Sequence, residues 1–336
     1  MRRPLAQRTP KTAMNLPNRP RAFLCRRFTP AVEAALHERF LLELNEDDSI
    51  LLPAQIAARA QGCEVLFVSA TESVTAEVVA ALAPTLRIVA TLSVGHDHID
   101  LAAARAAGVQ VLHTPDVLSD ACAEIALMLL LNACRRGFEA DRLVRSGAWQ
   151  GWAPTQLLGM GLVGKRLGIF GMGRIGRAIA QRAQAFGLAI HYHNRSRLEP
   201  VLEAGATYHA TLEGMLAHSD ILMIAAPGAP SLKGTFNAER LARLPRGAVV
   251  VNISRGDLVD DAALIAALQS GQVRGAGLDV FANEPRVHPG YRSLDNVFLS
   301  PHIGSATHET RDAMGWLLIE GIAALQRGQT PDNLLR

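Results

Sequence analysis

The stretch that most constrains the fold is a short apolar run followed by spaced glycines and a helical pattern. Residues Leu167–Phe170 end at Gly171, which opens a G-x-G-x-x-G series. Arg177–Phe186 then places apolar side chains at helical spacing. Gly171 permits a tight turn, Gly173 lets backbone approach a pyrophosphate, and Gly176 lets the helix pack closely on the strand. The order strand, glycines, helix predicts a dinucleotide-binding unit with the helix N-terminus at the phosphates.

The size and charge of the chain narrow the class of protein. Its 336 residues are enough for two domains, and the net charge of +3 gives no indication of nucleic-acid binding. The longest apolar run, Ile125–Leu131, falls short of the roughly 18 residues that a membrane span needs. We expect reduced thiols, no metal site and a cytoplasmic location, because no C-x-x-C pair or metal-ligand spacing occurs among Cys25, Cys63, Cys122 and Cys134.

The N-terminal segment differs from the rest of the chain in composition. Residues 1–21 contain six Lys or Arg side chains and no acidic one. We expect a disordered extension, or a start assigned upstream of Met14. An organelle transit peptide is the alternative, since such peptides are basic and poor in acids.

Short apolar runs alternate with helical stretches along the chain, which predicts parallel sheets and an α/β fold. The expected strands are 22–25, 65–70, 87–92, 109–113, 167–170, 188–193, 221–227, 248–254, 274–281 and 297–302. The expected helices are 31–40, 75–83, 101–107, 120–136, 177–186, 212–218, 260–269 and 309–326. Helix 120–136 is apolar almost all round, which indicates burial between domains or subunits.

The residues after the second strand of the dinucleotide unit indicate which cofactor binds. In NAD-specific sites a carboxylate at this point binds the ribose 2′-hydroxyl. Here the chain reads Asn194, Arg195, Ser196 and Arg197, with no carboxylate. Because arginine and small polar side chains can bind a 2′-phosphate, the sequence predicts NADP(H), with NAD(H) as the alternative.

Three polar side chains follow apolar strands in the second half of the chain. Arg255 follows VVVNIS, Glu284 follows GLDVFAN and His302 follows VFLSP. Each alone is typical of a surface or turn position. Since α/β folds place their sites at the carboxyl ends of strands, the three together predict a catalytic group.

Several motifs in order along the chain resemble the D-isomer-specific 2-hydroxyacid dehydrogenase family, and within it the glyoxylate/hydroxypyruvate reductases. The matching stretches are 93–115, 120–136, 151–159, 164–180, 249–260, 275–285 and 300–307. They include SVGHDHID, GMGRIG, NISRGD, DVFANEP and SPHIGSAT. The resemblance implies a Rossmann domain, residues 119–302, inserted into a flavodoxin-like substrate domain made of 22–118 and 303–336.

The resemblance also implies roles for the polar side chains. Arg255 would bind the substrate carboxylate and polarise the C2 carbonyl, helped by the backbone N–H groups of Val94 and Gly95. His302 would protonate the alkoxide that forms as hydride arrives, and Glu284 would orient His302 and favour its protonated form. The expected cofactor contacts are Gly171, Gly173, Arg174, Ile175, Gly176, Asn194, Arg195, Ser196, Ala226, Pro227, Ile253, Ser254, Asp279, His302 and Gly304.

Two stretches depart from or extend the family pattern. AAPGAPSLKGTFN, residues 225–237, replaces the commoner P-L-T-x-x-T form, and Gly228 and Ala229 are expected to leave room near the adenine ribose. Trp152 resembles a residue on a dimer arm. We therefore expect a homodimer formed through residues 120–160.

The function expected from the sequence is NADPH-dependent reduction of small 2-oxo acids, glyoxylate and hydroxypyruvate first, to D-2-hydroxy acids. One alternative is a dehydrogenase of the same family for a bulkier 2-oxo acid. The other is a cofactor-sensing, corepressor-like binding protein, which would retain the same motifs. We expect neither nucleic acid nor membrane as a partner.

Overall fold

The computed structural model describes residues 19–335, which divide into two compact units. The first unit contains the described residues up to Leu92, His98–Leu112 and the chain from Leu318 onward. The second contains Ser93–Asp97 and His113–Leu317. At both ends this unit extends beyond residues 119–302, the cofactor domain that the family resemblance implies.

The first unit is a five-stranded parallel sheet in the order β2-β1-β3-β4-β5, which is the flavodoxin-like order. Its strands are β1 (Arg21–Leu24), β2 (Leu41–Leu44), β3 (Val65–Val68), β4 (Ile88–Thr91) and β5 (Gln110–Leu112). Its helices are α1 (Pro30–Arg39), α2 (Pro53–Arg59), α3 (Ala76–Leu82) and α4 (Leu101–Ala106). The central strands β3 and β4 are buried throughout, as expected for a parallel sheet covered on both faces.

The second unit is a seven-stranded parallel sheet in the order β12-β11-β10-β9-β6-β7-β8, the Rossmann order with one added strand. Its strands are β6 (Arg166–Phe170), β7 (Ala189–His193), β8 (Thr207–Tyr208), β9 (Ile221–Ile224), β10 (Ala248–Asn252), β11 (Val273–Leu278) and β12 (Val297–Leu299). Its helices are α5 (Ser119–Arg135), α6 (Gly137–Arg145), α7 (Arg174–Gln184), α8 (Pro200–Glu203), α9 (Leu212–Leu216), α10 (Ala238–Ala242), α11 (Asp261–Gln269) and α12 (Pro289–Arg292). The last helix, α13 (His308–Gln326), contains the division between the units.

The strand register brings the expected site residues to one edge of this sheet. Phe170 at the end of β6 pairs with His193 of β7 and with Ile224 of β9. Asn252 of β10 pairs with the same Ile224 and with Leu278 of β11. The segments that follow these strands therefore emerge side by side at the carboxyl edge, where doubly wound sheets bind ligands.

The helix of the glycine motif begins at Arg174, three residues before the sequence pattern placed it. Helix α5 packs against α7 and against β10 and β11. Gly277 makes this packing close, because a Cβ there would lie 2.8 Å from Cβ of Leu129. Within residues 19–335, no helix is long and apolar enough to cross a membrane.

Candidate active site

Each of the three glycines of the motif is needed for a different structural reason. Gly171 has a φ of +98°, and a Cβ there would overlap the backbone of Ala226. A Cβ at Gly176 would overlap the carbonyl oxygen of Gly171. Gly173, which caps α7, would place a Cβ in open space with no heavy atom within 4 Å. The first and third glycines are thus required by the protein itself, whereas the space beside the second fits a dinucleotide phosphate at the helix N-terminus.

The end of β7 is tied to the glycine loop by a side-chain hydrogen bond. Asn194 Oδ1 accepts from the backbone N–H of Met172 at 2.7 Å. Arg195 is exposed beside it. Arg197 is instead held by the buried Glu203 through two bonds, Nε–Oε1 at 2.8 Å and Nη2–Oε2 at 3.0 Å. These two bonds occupy the side-on edge of the Arg197 guanidinium, so its terminal nitrogens are the ones that can still bind a ribose phosphate.

The other expected cofactor residues lie at the same edge of the sheet. Ser254 Oγ donates to the carbonyl oxygen of Ala226, which joins the ends of β9 and β10. Arg174 forms an ion pair with Asp116. The remaining expected contacts in this part of the site are the exposed Ser196 and Pro227 and the partly buried Ile175 and Ile253.

The backbone of Arg255 is fixed by a residue that the sequence interpretation missed. Asn252, which is 1% exposed, accepts from Ser254 N–H at 3.0 Å and donates to the carbonyl of Arg255 at 2.9 Å. The guanidinium binds Asp97 side-on, with Nε–Oδ2 at 3.1 Å and Nη2–Oδ1 at 2.9 Å. Asp97 was also missed. An amide at the end of a β-branched strand and an acid inside SVGHDHID were the signals available.

The loop expected to bind the substrate carboxylate is oriented by its carbonyl groups. The carbonyl of Ser93 accepts from Thr114 N–H at 2.9 Å, and that of Val94 accepts from His113 Nδ1 at 3.1 Å. In trans peptides the next N–H points the opposite way, so the N–H groups of Val94 and Gly95 face away from residues 113–114. A Cβ at Gly95 would overlap Nη2 of Arg255, so the guanidinium lies directly against this loop.

His302 and Glu284 form a hydrogen-bonded pair. His302 Nδ1 lies 2.8 Å from Glu284 Oε2, with the two side chains 37% and 30% exposed. Burial alone would raise the pKa of Glu284, but the hydrogen bond and charge of His302, the Phe281 N–H and the charge of Arg255 hold that pKa below its usual value. An ionised Glu284 accepts from Nδ1–H, which leaves Nε2 on the opposite side of the imidazole ring.

Asp279 holds the loop that carries His302. Its carboxylate accepts from Ser300 Oγ at 2.6 Å and from the N–H groups of Ile303 and Gly304 at 2.9 and 2.8 Å. Its carbonyl accepts from His302 N–H at 2.8 Å. Burial outweighs these bonds and raises the pKa of Asp279 above its usual value. Four bonds to one residue stabilise the left-handed backbone of His302, whose φ is 55°.

The arrangement offers a fixed guanidinium, backbone N–H groups beside it and an imidazole paired with a carboxylate. These groups suit a small 2-oxo acid, because the cation matches a carboxylate and the imidazole can donate a proton. No three His, Cys, Asp or Glu side chains of the described residues are grouped so as to hold a metal ion.

Comparison with known proteins agrees with this chemistry. Residues 127–304 match the family model of the NAD binding domain of D-isomer specific 2-hydroxyacid dehydrogenases. A glyoxylate reductase of Thermococcus onnurineus (strain NA1) is 40% identical over 322 residues, covering 94% of this chain and 96% of the relative. A glycerate dehydrogenase of Hyphomicrobium methylovorum is 38% identical over 304 residues, covering 89% and 94%.

Solved structures that resemble this chain include members of the same family. A Polaromonas sp. JS6 66 protein assigned to the D-isomer specific 2-hydroxyacid dehydrogenases is 68% identical with a TM-score of 0.91, covering 95% of this chain and 100% of that one. An NADPH-dependent glyoxylate/hydroxypyruvate reductase from Sinorhizobium meliloti, in complex with NADP and malonate, is 38% identical with a TM-score of 0.85, covering 95% and 97%. The chain therefore belongs to the D-isomer specific 2-hydroxyacid dehydrogenase family and is an NAD(P)-dependent oxidoreductase.

Proposed function

We propose that this enzyme reduces glyoxylate and hydroxypyruvate to D-2-hydroxy acids with NADPH. The observation that carries the proposal is the His302–Glu284 pair, at 2.8 Å, in the same unit as the guanidinium of Arg255 that lies against Gly95. The similarity to proteins named glyoxylate reductase and glyoxylate/hydroxypyruvate reductase supports the choice of substrates.

The roles of the side chains follow from what each can donate. Arg255 and the N–H groups of Val94 and Gly95 bind the substrate carboxylate, and Arg255 polarises the C2 carbonyl. A bound nicotinamide supplies the hydride. His302 donates its Nε2 proton to the oxygen of C2 as negative charge develops there, and Glu284 stabilises the imidazolium before transfer. Asp279 keeps the His302 loop in place, and the family resemblance assigns it a contact with the nicotinamide amide.

The preference for NADPH rests on the exposed Arg195, with Asn194 and Ser196 beside it. The double variant Asn194→Asp with Arg195→Ala tests it, because an aspartate at 194 can still accept from Met172 N–H while repelling a 2′-phosphate. We expect the Kd for NADPH to rise about tenfold or more, from the loss of a charge-assisted bond, and the preference to move toward NADH. A wild-type enzyme that prefers NADH contradicts the proposal.

A substrate panel tests the reaction itself. Oxidation of NADPH is followed with glyoxylate, hydroxypyruvate, pyruvate and phenylpyruvate, and each measurement is repeated with NADH. We expect the highest kcat/KM for the first two acids. The highest value for phenylpyruvate favours a bulkier physiological substrate. Turnover of none of them favours the cofactor-sensing binding protein.

We also propose a homodimer formed through residues 120–160. Exposed apolar side chains are concentrated in and just beyond this segment, and such a group is typical of an interface. They are Phe138, Val144, Trp149, Trp152, Leu158 and Val163, with Trp152 82% exposed. Light scattering on the purified protein measures the mass, and a monomer at micromolar concentration contradicts this proposal.

A further inference from the structure

Three hydrogen bonds to described residues fix the guanidinium of Arg255. Asp97 takes the Nε–H and one N–H of Nη2, and the carbonyl of Ser254 takes one N–H of Nη1 at 2.9 Å. A guanidinium has five N–H donors. The bonds to described residues leave one N–H on Nη1 and one on Nη2, so both terminal nitrogens can still donate to a ligand.

Two glycines make room for this ion pair. A Cβ at Gly95 would overlap Nη2 of Arg255. A Cβ at Gly228 would lie 2.9 Å from Cγ of Arg255 and 3.3 Å from Oδ2 of Asp97. The sequence interpretation assigned the space at Gly228 to the adenine ribose, whereas the structure places Arg255 and Asp97 there. The segment 225–237, which departs from the family pattern, therefore packs at Gly228 against Arg255, the arginine proposed to bind the substrate.

We propose that Asp97 is a positioning residue for Arg255. It fixes the side-on edge of the guanidinium, so that the terminal edge is presented to the substrate carboxylate beside Gly95. Asp97 and Arg255 are 25–40% exposed, so bulk water competes for an unanchored guanidinium and a second fixed partner matters. This inference rests on the proposed binding of a 2-oxo acid by Arg255.

The test compares Asp97→Ala and Asp97→Asn with the wild-type enzyme. We expect Asp97→Ala to raise the KM for glyoxylate about tenfold or more, because small displacements of a positioning group carry large costs, while the Kd for NADPH stays within about twofold. Asp97→Asn should recover part of the loss, because its amide oxygen still accepts one bond. Gly228→Ala should also raise the KM, because its methyl group displaces the pair.

The chain offers a matched control at the opposite edge of the same sheet. Asp220 binds Arg166 side-on in the same way, with Nε–Oδ2 at 3.0 Å and Nη2–Oδ1 at 2.8 Å. Asp220→Asn should lower the Tm without changing the KM for glyoxylate. A general effect of losing a bidentate ion pair would appear in both variants, whereas a positioning effect appears only at Asp97.

Binding of oxalate, an inert dicarboxylate, separates this inference from the proposed reaction. Oxalate is titrated against the NADPH-bound enzyme and the rise in Tm is recorded. A smaller rise for Asp97→Ala than for the wild type supports the inference, even if the wild type reduces no acid in the panel. An unchanged or lowered KM, an equal rise in Tm, no oxalate binding by the wild type, or a parallel loss of NADPH binding each overturns it.

Discussion

Two histidine pairs in the second unit have similar lengths and opposite electrostatic consequences. His302 bonds a carboxylate, Glu284, at 2.8 Å, while His191 Nδ1 bonds another imidazole, Nε2 of His209, at 2.9 Å. The first pair keeps Glu284 ionised beside the imidazole. In the second, burial first and neighbouring positive charge next lower the pKa of both His191 and His209. The partner decides whether an imidazole is suited to carry a proton or to remain neutral.

The neutral pair belongs to a larger group of imidazoles. The His218 ring lies 6.1 Å from that of His191, nearly parallel at 11°, and 5.4 Å from that of His209. His193 Nδ1 donates to the carbonyl of His209 at 2.8 Å. The charge of Arg166 further lowers the pKa of His191, and that of Asp220 opposes this effect. Protonating two of these imidazoles at once would therefore place two positive charges next to each other.

The strongest test of the comparison is His302→Ala. We expect kcat to fall about 10²- to 10⁴-fold, the range for loss of a general acid, because alanine cannot supply the proton that Nε2 donates. Binding of NADPH, followed by its fluorescence, should persist. Turnover within tenfold of the wild type would mean that His302 is not the acid and that the two pairs do not differ in function.

A smaller effect is expected for Glu284→Gln, which keeps the shape and removes the charge. We expect kcat/KM to fall about 10- to 100-fold, because the neutral amide no longer offers His302 Nδ1–H a charged acceptor that fixes the ring. The lowered pKa of Glu284 means that its contribution to stability is present above its unfolded pKa and is lost as pH falls through the folded value. A kcat/KM equal to that of the wild type would contradict the assigned role.

The smallest effect is expected from substitutions in the imidazole group, and we expect it in the stability of the fold and not in catalysis. Because the folded pKa values of His191 and His209 lie below 6.5, the unfolded chain binds protons first, and stability is lost as pH falls below about 6.5. His209→Gln should therefore reduce the drop in Tm between pH 7.5 and 5.5 by about 2–4 °C, with unchanged kcat at pH 7.5. The exposed His37 offers the control His37→Gln, which should keep the wild-type slope. An unchanged slope for His209→Gln would show that the group does not sense pH.

The sequence predicted the parts of the fold that depend on local pattern. Apolar runs predicted the parallel strands, and the spaced glycines predicted the turn after β6. The polar residues that directly follow strands predicted the group at the carboxyl edge of the sheet. Strand β2 was missed because its exposed and half-buried residues at the edge of a sheet give a weak pattern. Strand β8 and helices α2, α6, α8, α10 and α12 were missed as well. The Asp97–Arg255 pair joins residues 158 positions apart, so only the tertiary fold reveals it.

The amide of Asn252 has a consequence for engineering this enzyme. It uses its oxygen and its nitrogen on two sides of one turn, a combination that an aspartate or an aliphatic residue cannot reproduce. The main chain of Arg255 is thereby anchored from its own strand, independently of the residues at 194–196. Under the proposed roles, coenzyme selectivity and carboxylate recognition depend on the segments after two different strands, β7 and β10, so substitutions at 194–196 are expected to leave the Arg255 backbone in place.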